Sequence, residues 1–224
     1  MGSVCSGLLP PLLLPPLVLR YPIWRGRYAG VHQQPTMVLF LLCIKAELDG
    51  VESLSLVTNT NLCFSVKNPL SDYETRDKIV FNPSETLDRD ESDREPPHHF
   101  ALKWEGSKKY STLTVLSADE AKSVMKRLSK KGGKKGGADG GEVGIPRDVT
   151  NDDCGNYVPV LAMECRGLEP YAFHILGNEF KVKSVGGTVF DEDVDLSDGD
   201  WGEYDEEYDA AVGVNDFASK VITV

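Results

Sequence analysis

Apolar and polar residues alternate with a period of two through much of the chain beyond residue 37, the mark of strands that bury one face. Residues 38–48 form an apolar, β-prone run, 61–67 alternate through Leu62, Phe64 and Val66, and 78–81 and 110–116 add β-branched and aromatic positions. A second group follows at 157–165, 173–185, 188–194 and 218–224, with Gly186 and Gly187 marking a turn. Only one stretch has a helical period. Ser117 and Glu120 stand at capping-box spacing, and Ala121, Val124, Met125 and Leu128 recur at i, i+3, i+4 and i+7 to make a single apolar stripe. Asp119 and Glu120 at its start and Lys126, Arg127 and Lys130 at its end complement the helix dipole, and Gly132 and Gly133 stop it. The pattern predicts an all-β, mainly antiparallel, sandwich-like protein in two lobes. The first lobe covers 37–116, a short amphipathic helix and linker cover 117–156, and the second lobe, with an acidic segment, covers 157–224.

Three stretches depart from both periods. In residues 1–36 the apolar run is broken by Pro10, Pro11, Pro15 and Pro16, and Arg20, Arg25 and Arg27 are the only charges. A spanning helix needs about 20 apolar residues without repeated prolines, and a signal peptide needs a basic start that is missing here. The expectation is a disordered leader or an upstream extension, with translation starting at Met1 or Met37. The first residues match an acylation pattern, with Gly2 as myristoyl acceptor and Cys5 as a second site, which is the alternative to having no membrane partner. Residues 82–97 are too polar and proline-rich to bury a face and read as a solvated loop, and 130–144, mostly Lys, Gly and Asp, read as a flexible insertion.

The chain has 224 residues, 41% hydrophobic, enough to build a core, and its 35 acids against 24 bases give a formal net charge of -11. That charge repels duplex nucleic acid and anionic membranes. The basic stretch 122–135 contains no aromatic residue on which bases could stack, so it reads as a solvated helix face and linker, with no nucleic-acid partner expected. Cysteines 5, 43, 63, 154 and 165 are odd in number and form no C-x-x-C pair, which favours a reducing, cytoplasmic setting over a disulfide framework.

Candidate chemistry is sparse. Nucleophile elbow, phosphate loop, zincin helix and dinucleotide fingerprint are all absent, and the expectation is a protein that is not an enzyme, with no cofactor. Cys165 and His174 could be drawn as a nucleophile and base, but a core cysteine is the simpler reading. The acidic stretch 191–209 fails as a calcium loop, because Leu196 stands where the sharp turn needs glycine and Gly202 where a bidentate Glu is required. It reads as a solvated surface pinned by two aromatic anchors, Trp201 and Tyr204.

The run Met37-Val38-Leu39-Phe40, then Lys45-Ala46-Glu47-Leu48 and Val51-Glu52-Ser53-Leu54, resembles the start of the eukaryotic CXXC-motif-containing zinc-binding protein family. Glu164, Cys165, Arg166, Gly167, Leu168, Glu169 and Pro170, followed by Trp201 and Tyr204 and then Val212-Gly213-Val214, are similar to that family's second half in order and spacing. The resemblance implies a small cytosolic all-β protein in which two C-x-x-C pairs hold one zinc. This sequence departs there: Asn68 and Ser71 stand where the first pair belongs, and Trp104 and Ser107 where the second does. Neutral Asn and Ser oxygens are poor replacements for thiolates at a tetrahedral zinc. A displaced site can be drawn from Cys63, His98 and His99, which would keep zinc as the cofactor. The leading expectation is a protein-interaction module that has lost its zinc, with an unknown protein partner and with Trp104 filling the volume of metal and sulfurs.

Overall fold

The computed structural model describes residues 37–71, 73–87, 97–131 and 144–224. The readings made for residues 1–36, including acylation at Gly2 and Cys5, for the insertion over 132–143 and for most of 82–97 lie outside the described residues.

The strands are β1 (Met37–Asp49), β2 (Val51–Leu56), β3 (Leu62–Lys67), β4 (Thr75–Phe81), β5 (Phe100–Leu102), β6 (Ser111–Leu116), β7 (Val149–Thr150), β8 (Val158–Arg166), β9 (Glu169–His174), β10 (Phe180–Ser184), β11 (Val189–Phe190), β12 (Trp201–Asp205) and β13 (Ala210–Thr223). A single helix among the described residues, α1 (Ala118–Lys131), follows β6. The pairings are antiparallel and make three sheets: β12-β13-β1-β8-β6-β5, β11-β10-β2-β7 and β4-β3-β9. The fold is all-β and sandwich-like, as the alternation predicts.

β1 explains why residues 38–48 read as nearly continuous apolar sequence. It lies between β13 and β8 in the middle of the six-stranded sheet and is covered on both faces. Leu39, Leu41 and Cys43 face one way and pack with Ala121 and Val124 of α1 and Ala162 of β8. Phe40 and Leu42 face the other way, into a cluster with Leu62, Phe64, Val66 and Trp104, while Ile44 and Ala46 continue into a cluster with Leu54, Phe180 and Val182. The capping box at the start of α1 is formed: the Ser117 backbone N–H and hydroxyl donate to Glu120 Oε2 at 2.9 and 2.7 Å.

Every sheet draws strands from both 37–116 and 157–224, because β1 pairs with β8 and β13, β2 with β10, and β3 with β9. The two segments expected as lobes are therefore interleaved, since long-range antiparallel partners bury more apolar surface than neighbours in sequence would. The expected strand 173–185 is split into β9 and β10. The break is made by Glu179, fully buried, whose carboxylate accepts the backbone N–H groups of Leu176 (2.5 Å), Gly177 (3.0 Å) and Asn178 (3.1 Å) and folds the chain into a turn. Of 188–194 only β11 pairs, and Val194 instead drops into the core with Leu196.

Candidate functional site

The two turns in which the family resemblance places zinc ligands are linked through Trp104 of the second, which lies under Arg76 of β4, the strand that follows the first. The first joins β3 to β4. Asn68 closes it as an Asx turn: its side-chain oxygen accepts the Leu70 N–H at 3.0 Å, its amide nitrogen donates to the Glu74 carboxylate, and its carbonyl accepts the Ser71 N–H at 3.1 Å. The second turn follows β5. Here the Trp104 carbonyl accepts the Ser107 N–H at 3.1 Å, while the Ser107 hydroxyl donates to the Lys109 carbonyl at 2.8 Å and accepts the Lys109 N–H at 3.2 Å. Both turns close by their own hydrogen bonds.

Trp104 links them to the rest of the fold. It is 4% exposed, belongs to the cluster of Phe64, Leu113 and Leu168, and lies under the Arg76 guanidinium of β4, 5.6 Å from the ring centroid. Its indole N–H donates to the Gly167 carbonyl at 2.7 Å, and the Ser111 hydroxyl donates to the same oxygen at 2.8 Å. Gly167 has φ +70°, a conformation that suits glycine, at the tight connection from β8 to β9.

The surrounding motif has a structural explanation in each residue. Glu164 pairs with Arg166 at 2.9 Å, Cys165 and Leu168 are core, Glu169 pairs with Lys67 at 3.3 Å, and Pro170 lies opposite Val66. Burial, reinforced by Glu164 and Glu169, pushes the Cys165 thiol far above its ordinary range. His174, on β9 in a different sheet, is hydrogen-bonded to the Ser65 hydroxyl at 2.7 Å. The pair drawn from the sequence is thus divided between a buried, protonated thiol and an engaged imidazole.

The residues at the four knuckle positions do not fit zinc. Asn68, Ser71 and Ser107 offer neutral groups that serve their own turns, and Trp104 offers no lone pair in its donor N–H. The displaced set is not brought together either. No group of three or more His, Cys, Asp or Glu side chains able to hold a metal occurs among the described residues. Cys63 is buried in β3 opposite His174 and Val80, and burial raises its thiol above the ordinary value. His99 Nδ1 is already taken, accepting the Val115 N–H at 2.8 Å, and His98 Nδ1 is buried without a hydrogen-bond partner in the structure.

The acidic segment is more ordered than a solvated surface. Val194, Leu196 and Asp205 are buried, and Trp201 is half-buried with its ring edge-on to Phe190 at 5.5 Å, so it is an anchor as expected. Tyr204 is not: it is 53% exposed and its hydroxyl donates to Asp209. The second anchor is Asp205, which composition could not distinguish from its acidic neighbours. Its carboxylate accepts from Ser184 (2.5 Å) and Thr188 (2.8 Å) and from the backbone N–H groups of Glu207 and Tyr208, and the Ser184 hydroxyl above all holds its carboxyl below the usual range.

The turns expose large apolar side chains among the charged Arg76, Lys103, Glu105, Lys108 and Lys109. Leu70 is 89% exposed, Tyr73 95% and Tyr110 64%, with Lys103 5.8 Å from the Tyr110 ring centroid. Among the described residues no helix is long and apolar enough to cross a membrane.

Comparison with known proteins agrees with the motif. The chain is 41% identical over 73 residues to UPF0587 protein CG4646 of Drosophila melanogaster, a match covering 33% of this chain and 44% of that protein, so the chain spans less than half the length of this relative. Two solved structures share the fold at a TM-score of 0.63: a hypothetical protein from Plasmodium falciparum, 24% identical over 82% of this chain and 99% of that one, and C1orf123, 19% identical over 83% and 99%. The family model for the CXXC motif containing zinc binding protein, eukaryotic, matches residues 41–222, and the chain belongs to that family.

Proposed function

We propose that this protein is a non-enzymatic, cytoplasmic interaction module of the family, holding no zinc at its knuckles and using that end as a contact surface for another protein. The observation that carries this reading is the combination of a filled interior with large apolar side chains left exposed on the turns. Trp104 occupies the inside of the knuckle end, and the polar groups of the turns are spent on each other, yet Leu70 and Tyr73 project almost fully into solvent. Apolar side chains on a turn contribute little to folding when exposed, and aromatic anchors of this kind are typical of binding hot spots. The cytoplasmic assignment is supported by free thiols at Cys43, Cys63, Cys154 and Cys165, of which Cys154 is exposed.

The test pairs a photo-crosslinking amino acid at Ser71 with the double substitution Leu70→Asp and Tyr73→Ser. Specific cross-linked partners in cells are expected, and they should disappear in the double variant while its melting temperature stays that of the parent. Cross-links that survive the double substitution refute the contact surface. One equivalent of tightly bound zinc by elemental analysis of protein purified without chelator would refute the metal-free knuckle.

A further inference from the structure

A cleft of about 430 Å³, a volume in the range of small-molecule sites, opens beside Leu62. Leu56, Leu62, Val115, Val160 and Leu161 line it with apolar surface, Thr58, Asn59, Ser84 and Ser117 add neutral polar groups, and His99 stands on its wall. Among the described residues that line the cleft, the one cation, Arg147, is already paired. Arg147 is held in a bidentate pair by Asp153, with both contacts at 2.6 Å, and Asp148 is exposed beside it. An anionic ligand would meet an uncompensated carboxylate there and no available guanidinium.

The histidine sets the polar requirement. Its Nδ1 accepts the Val115 N–H at 2.8 Å, so the neutral ring carries its proton on Nε2. Burial and the neighbouring His98 favour the neutral ring, with Glu120 opposing them. The cleft thus presents apolar walls, a hydrogen-bond donor without formal charge, and a rim that repels anions. The geometry points to a binding site for an uncharged, mainly apolar small molecule that gives one carbonyl or hydroxyl oxygen to His99 Nε2–H. This site is independent of the knuckle end, and its failure would leave the protein-contact reading standing.

The experiment is an NMR titration of the full chain with 2-decanone as probe and decanoate as charged counterpart, reading the methyl signals of Leu56, Val115 and Val160 and the His99 ring nitrogens. With 2-decanone, saturable methyl shifts confined to the cleft and a downfield shift of His99 Nε2–H are expected. Decanoate should bind more weakly. His99→Phe, which keeps the ring volume, should weaken 2-decanone binding by about fivefold, the effect of one hydrogen bond of about 1 kcal/mol. Val160→Phe fills the cleft from a half-buried position and should abolish the shifts, providing a second test should His99→Phe unfold the chain. Absence of saturable shifts up to the probe's solubility overturns the site, as do equal affinity in His99→Phe or tighter binding of decanoate.

Discussion

Truncating Trp104 to alanine tests whether packing holds the turns in which the family resemblance places zinc ligands. The indole is 4% exposed, so nearly all of its surface is removed from water by folding. An aromatic side chain of this size buries roughly 200 Å², about 5 kcal/mol at 25 cal/mol/Å², and this is an upper figure because the unfolded chain is partly compact. Large-to-small core substitutions of Trp cost about 3 to 5 kcal/mol once cavity and transfer contributions combine. For a protein of this length each kcal/mol lowers Tm by about 2 to 4 °C, so Trp104→Ala should melt about 6 to 20 °C below the parent.

A second substitution separates packing from the hydrogen bond. In Trp104→Phe the Gly167 carbonyl keeps the Ser111 hydroxyl as donor, and the loss should be only about 1 kcal/mol. Combining it with Ser111→Ala strips that oxygen of both donors, so the double loss should exceed the sum of the singles by about 1 kcal/mol. Urea denaturation followed by fluorescence and circular dichroism measures the parent, Trp104→Ala, Trp104→Phe, Ser111→Ala and the double variant, with an unchanged m-value as the check on two-state behaviour. A change below about 1 kcal/mol in Trp104→Ala, or a drop in the parent's midpoint on adding a chelator, would refute the account.

Two further outcomes follow from titratable groups held by hydrogen bonds. Glu179→Ala removes the acceptor of the Leu176, Gly177 and Asn178 N–H groups and should lower stability by about 2 kcal/mol, with Glu179→Gln recovering part of it, as read from urea midpoints. The pH dependence has two windows of the same sign. The folded-state pKa of His99 is depressed, so its contribution is present above about pH 6.5 and is lost as the pH falls through its lower folded value. Asp205 is likewise depressed, and its contribution is present above about pH 4 and lost on further acidification. Melting curves from pH 8 to 3 should decline in both windows, and His99→Phe should remove the first; a stability that rises on acidification from pH 7 would refute the assignments.

Local pattern alone determined much of this protein. The strand alternation, the Ser117–Glu120 cap and the stripe of Ala121, Val124, Met125 and Leu128 depend on neighbours three or four residues away, and the structure keeps them. The family motif was legible for the same reason, as a contiguous string. Other features required the third dimension. That β1 sits between β8 and β13, and that β3 pairs with β9, is a choice among many apolar partners, decided by which register buries the most surface at once. Asp205 looks like any other acid in composition; it is held in the interior because the hydroxyls of Ser184 and Thr188, about twenty residues away, converge on it. Cys63, His98 and His99 carry the residue types of a metal site, but strand pairing sends them to different partners, and a coordination sphere depends on direction, which sequence spacing does not encode. The sequence suggested that Trp104 fills its turn; only the tertiary structure decided that its N–H meets the carbonyl of Gly167.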